Sequence, residues 1–164
     1  MPIIFRFAKW FVLALSSVLL MYTGWYYLSF GEFPIAGGTE AERELIKIAD
    51  KSWLADIFAI PRLIAAIFMG FWIQKLFGLY ATSTFFSKNS VCCYQWLVIT
   101  NTAIFLYTYL VDIFCQMYLR KLDSSYDVTL IVDLSHVFTI LVSFALIHAL
   151  KHAYEIEKEN REFV

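Results

Sequence analysis

The feature that most constrains this chain is the stretch from Trp10 to Phe30, which carries no charged residue. About 20 apolar residues suffice for a helix to cross the hydrocarbon core of a bilayer. Such a run is too long for the core helix of a small soluble domain. It is preceded by Arg6 and Lys9 and ends in Trp25, Tyr26 and Tyr27. A signal peptide starts in a similar way, but this run is too long and too aromatic, and no small-x-small cleavage pattern follows closely. It is therefore read as an uncleaved first span whose aromatics mark its far interface.

Three more runs of this kind follow. Trp53 to Gln74 is long enough but contains Asp56, Pro61 and Arg62, and Pro61 is expected to kink the helix or mark its re-start. Asn89 to Val111 is uncharged, with apolar character continuing past Asp112 to Leu119. A fourth runs from about Leu130 to Leu150 and holds His136 and His148. Composition agrees: 60% of the 164 residues are hydrophobic and only 16% charged. A chain this small folded in water still exposes much of its surface. A soluble enzyme and a disordered chain are thereby excluded. A net charge of -1 offers no field for phosphate backbones, so direct nucleic-acid binding is excluded too.

Between the first two spans, Gly31 to Gly38 reads as a turn region containing Pro34 and Gly37-Gly38. Thr39-Glu40-Ala41-Glu42 then has the spacing of a capping box. Leu45, Ile48, Ala49 and Trp53 recur at helical spacing with charged residues between them, which predicts an amphipathic helix at the membrane surface leading into the second span. The expected fold is all-α. It is an integral membrane four-helix bundle in a single domain over 1–164, with spans at about 10–30, 53–77, 90–118 and 130–152. A polar helical tail covers 153–164. Lipid-facing backbone must be helical, and short connections make neighbouring spans antiparallel. With the amino terminus inside, Arg6, Lys9, Lys75, Lys88, Lys151, Lys158 and Arg161 fall on the inner side. Arg43, Lys47, Lys51, Arg120 and Lys121 fall outside. This bias favours two cytoplasmic termini.

Charges inside a span are costly and mark sites. Arg62 and Asp112 lie on antiparallel spans, each roughly 10–14 Å below the outer surface. They are the candidate intramembrane pair, with a register-fixing role, separate snorkelling or a proton or solute pathway as its readings. Asp56, Asp133 and His136 form a candidate outer polar cluster whose spacing matches no established metal site. His148, His152 and Glu155 share one helix face, but Ala149 stands where a zinc helix has its Glu, so they read as interfacial polar residues. Cys92, Cys93 and Cys115 are odd in number and two are adjacent, so they read as packing residues rather than a disulfide framework, with a reactive or lipidated vicinal pair as the alternative. Ala66 and Gly70 give a small-xxx-small pair for close helix packing, and Thr100, Asn101, Thr102 and Thr108 are candidates for interhelical hydrogen bonds. Ser87 is placed to cap the third span. No catalytic signature is present; neither a cofactor nor a metal is expected, and the chain is read as no enzyme.

Two segments carry a family resemblance. One is Lys75-Leu76-Phe77-Gly78-Leu79-Tyr80 with Phe85-Phe86-Ser87 and Val91; the other is the ending Ala149 to Val164. With four spans in this length, they resemble the bacterial membrane family labelled "domain of unknown function 2975". The chain departs from the family pattern at Thr84 or a neighbour, where Gly is usual, and in Arg161-Glu162-Phe163 at the ending. The resemblance implies a cytoplasmic-membrane protein partnered by a small cytosolic helix-turn-helix regulator. Two functions follow as expectations. One is a non-enzymatic interaction or regulatory component held by the lipid bilayer. The other is an oligomeric small-solute or proton transporter or channel subunit using Arg62 and Asp112, for which homo-oligomerisation is expected.

Overall fold

Apolar runs with no water to satisfy their backbone must close their own hydrogen bonds. The computed structural model shows this throughout. It describes residues 2–31, 38–49, 52–82, 85–124, 126–129 and 134–162. The elements are α1 (Pro2–Phe30), α2 (Glu40–Ala49), α3 (Ser52–Ala81), α4 (Lys88–Leu122) and α5 (Leu134–Glu162). The fold is all-α, and α1, α3, α4 and α5 are each long and apolar enough to cross a membrane. The chain is a multi-pass membrane protein by this measure. Each of the four helices extends past at least one of the span limits read from sequence; α1 ends at its limit, Phe30, and the described α5 starts at Leu134 rather than near 130. The 29 residues of α1 would measure about 43 Å, close to a bilayer with its headgroup layers.

The ends of the helices are chemically specified. Gly31 takes a left-handed φ of 73° and its N–H donates to the Tyr27 carbonyl at 2.8 Å, which stops α1. The Ser87 hydroxyl accepts from the Ser90 N–H at 3.2 Å and so caps α4, as its position predicts. Pro61 neither ends nor restarts a helix: α3 runs through it unbroken.

The chain divides into two compact units. The first comprises the described parts of Met1–Ser17, Ile67–Thr102 and Leu134–Val164; the second, those of Val18–Ala66 and Ala103–Asp133. In the first unit Gly70 receives α1: a Cβ built there would stand 3.0 Å from Ser16 Oγ. The small residue thus permits the close approach that its sequence context predicts. Phe5 packs edge-on against Tyr80 and Phe85, with centroids 5.6 and 5.5 Å away, and Trp72 stacks on Trp96. Thr100 and Thr102 bond carbonyls of their own helix, at Trp96 and Val98, both at 2.8 Å. The interhelical role expected of these two is replaced by back-bonding, which satisfies a hydroxyl within one helix.

In the second unit, Ala41 and Leu45 of α2 pack with Phe58 of α3 and with Cys115 and Leu119 of α4 in one buried cluster. The amphipathic helix therefore lays its stripe on protein, while Ile48 stays exposed. The cysteines are free. Cys93 and Cys115 are buried packing residues, and Cys92 is exposed.

Candidate functional site

Among the described residues, the second unit buries Glu42 and Gln116 where α2, α3 and α4 meet. Thr39 Oγ1 accepts from the Glu42 N–H at 3.3 Å, so half of the capping box forms. The other half does not, because the Glu42 carboxylate turns inward. Arg62 Nη1 donates to Glu42 Oε2 at 2.8 Å and Nη2 donates to Oε1, a two-pronged, charge-assisted bond. Glu42 is 0% exposed and the Arg62 side chain 14%. Arg62 Nε is buried with no hydrogen-bond partner, and the guanidinium carbon stands 5.9 Å from the Tyr107 ring centroid.

Arg62 thus has a different partner from the Asp112 expected of it. The reason is physical. Glu42, carried in by the buried stripe of α2, offers both oxygens to the planar fork. Asp112 instead accepts from Gln116 Nε2 one turn along α4, at 2.7 Å. Gln116 is itself buried, and its Oε1 accepts from the Thr129 N–H at 2.8 Å. Asp112 and Gln116 therefore form a polar relay that ties the segment after α4 to that helix.

Glu42 was missed as a site residue because its spacing from Thr39 accounts for it as a cap. A signal was present: Glu42 precedes Leu45 by three residues and Ala49 by seven, which places it on the apolar face. A carboxylate on that face requires a cation inside.

Tyr107 serves the same region. A proline has no N–H, so Pro61 leaves the Ile57 carbonyl, four residues earlier, without its helical donor. The Tyr107 hydroxyl contacts that carbonyl at 3.4 Å and the Phe58 carbonyl at 3.5 Å. The proline gap in α3 is covered from α4. Tyr107→Phe is expected to cost about 1 kcal/mol in the unfolding of detergent-solubilised protein, whereas the same change with Pro61→Ala present should cost less than half of that.

Of the outer polar cluster, Asp133 lies outside the described residues. Asp56 belongs to α3 in the second unit and His136 to α5 in the first. His152 Nδ1 and Glu155 Oε2 lie 4.0 Å apart, both well exposed. Among the described residues no three His, Cys, Asp or Glu side chains group as metal ligands. Beside the buried pair, Glu44, Lys47 and Ile48 of α2 face Leu119, Leu122, Asp123 and Tyr126 across a cleft of about 440 Å³. Burial there pushes the Tyr126 phenol above its ordinary range, and the Glu44 carboxylate adds to the shift.

The arrangement is a closed ionic clasp with a helper hydroxyl and a side-chain relay, and it holds three helices together. No curated protein and no solved structure matches the chain. Residues 36–164 match the family model described as protein of unknown function (DUF2975), a match that takes in the clasp, the relay and the three spans that follow α1. With most of its length covered, the chain belongs to the DUF2975 family.

Proposed function

We propose that the chain is a non-enzymatic component of the cytoplasmic membrane, with both termini in the cytoplasm, that holds a soluble partner through the end of α5. The observation that carries this reading is the form of that end. The helix continues from its apolar span to Glu162, and its last described turns present Lys151, His152, Glu155, Lys158 and Glu159 with Ile156 exposed among them. A helix that leaves the bilayer with an apolar residue set among charges is a ready docking element for a cytosolic protein. The partner that family resemblance suggests is a small helix-turn-helix regulator.

The clasp supports this reading over transport. A charge that carries solute or protons must be free to exchange partners, and the Arg62 charge is neutralised by a two-pronged bond to the buried Glu42 carboxylate. The test is co-purification from detergent of the full chain, and of a chain ending at His152, with a co-expressed small helix-turn-helix regulator of the kind the family resemblance suggests. Recovery of the regulator is expected to fall at least tenfold on truncation. Equal recovery from both would overturn the role of the tail.

A further inference from the structure

In the first unit, Lys9 of α1 and Lys75 of α3 line one cleft of about 410 Å³ together with Phe71, Gln74, Gly78 and Leu79. Two lysines and a glutamine thus share one lining, and no carboxylate residue is part of it. Neither lysine has a carboxylate within ion-pair distance among the described residues. Lys75 Nζ instead stands 4.8 Å from the Trp72 ring centroid, and the Lys9 side chain lies 3.9 Å from where a Cβ on Gly78 would stand. The absent side chain at Gly78, one turn beyond Lys75, leaves room beside the Lys9 ammonium.

The depth of this cleft in the membrane matters as much as its charge. Lys9 lies seven residues from the start of α1 and Lys75 six from the end of α3, about 10 Å from each helix end. Helices of this length overrun the ~30 Å hydrocarbon core by about 7 Å on each side. Lysines at that depth extend their stems along apolar surface and bring the ammonium to the level of lipid phosphates. Phe71 and Leu79 supply the apolar wall beside them. The cleft in the second unit differs, because Glu44 and Asp123 flank its Lys47 and oppose an anion.

We propose that the Lys9–Lys75 cleft is a binding site for the phosphodiester headgroup of an anionic phospholipid. The two ammonium groups meet the phosphate, Gln74 donates to its oxygens, and the acyl chains run along Phe71 and Leu79. Basic clefts between spans bind anionic headgroups in this way, and each lysine near a headgroup contributes roughly a fivefold gain in affinity.

The full chain in a neutral detergent, titrated with phosphatidylglycerol or phosphatidylcholine and read by native mass spectrometry, tests the proposal independently of which side the termini occupy. Wild type is expected to retain phosphatidylglycerol at least tenfold better than phosphatidylcholine. Lys9→Gln/Lys75→Gln is expected to abolish the preference, and Lys9→Arg/Lys75→Arg to keep it. Gly78→Leu, which fills the cleft without changing charge, is expected to reduce retention of phosphatidylglycerol severalfold at unchanged helix content. Equal retention of the two lipids by wild type would overturn the proposal. So would an undiminished preference in the glutamine variant, or full displacement of the lipid by an equal concentration of inorganic phosphate, which would make the site one for a free anion.

Discussion

Replacing Glu42 with alanine is expected to destabilise the protein by about 3–5 kcal/mol, the cost of stranding one member of a buried ion pair. Arg62 keeps its charge at any accessible pH. Without Glu42 its fork would sit by the Tyr107 ring with no carboxylate to neutralise it, in addition to an Nε that already lacks a partner. Arg62→Met is expected to harm the fold comparably, because it leaves a fully buried carboxylate. The double variant Glu42→Leu/Arg62→Met removes both charges and should recover most of the loss, since an apolar replacement of a buried pair is often neutral or better. Unfolding of the four proteins in mixed micelles, followed by tryptophan fluorescence, gives the coupling energy directly. Single variants within about 1 kcal/mol of wild type would show that the clasp contributes little.

The second large effect is expected at Leu119. This side chain is 2% exposed and closes the cluster formed by Ala41 and Leu45 of α2, Phe58 of α3 and Cys115 of α4. Leu119→Ala opens a cavity where three helices meet and should cost about 2–5 kcal/mol, whereas Leu119→Met, which keeps the volume, should cost less than about 1.5. Because α2 is short and rests on this cluster, its amide protons should lose most of their exchange protection in the alanine variant while those of α3 keep theirs. Equal protection of α2 in both variants would mean that the clasp alone holds it.

The four spans were legible in the chain because uncharged runs of this length admit few structures. The caps at Thr39 and Ser87, and the approach of α1 to Gly70, were legible because they depend on residues close together in sequence or on one small side chain. The partner of Arg62 was not. Depth arithmetic on antiparallel spans placed Asp112 opposite it, but could not tell that α2 carries Glu42 inward on its buried stripe. Ridge matching between a short helix and two long ones is a tertiary matter, and a local capping pattern at Thr39 concealed it. The use of Tyr107 to cover the gap at Pro61 lay out of reach for the same reason: the two are 46 positions apart, and periodicity does not record which helix turns which edge toward which.

The division of labour between Thr39 and Glu42 has a mechanical consequence. Sliding α2 along its axis by a single turn would displace its carboxylate by about 5.4 Å, beyond the grasp of a planar two-pronged donor. A helix of ten residues keyed in this manner has one seating. When the surrounding bilayer thins or thickens, α2 is held to the stretch of α3 that carries Arg62, and its depth follows that stretch rather than the level of the headgroups.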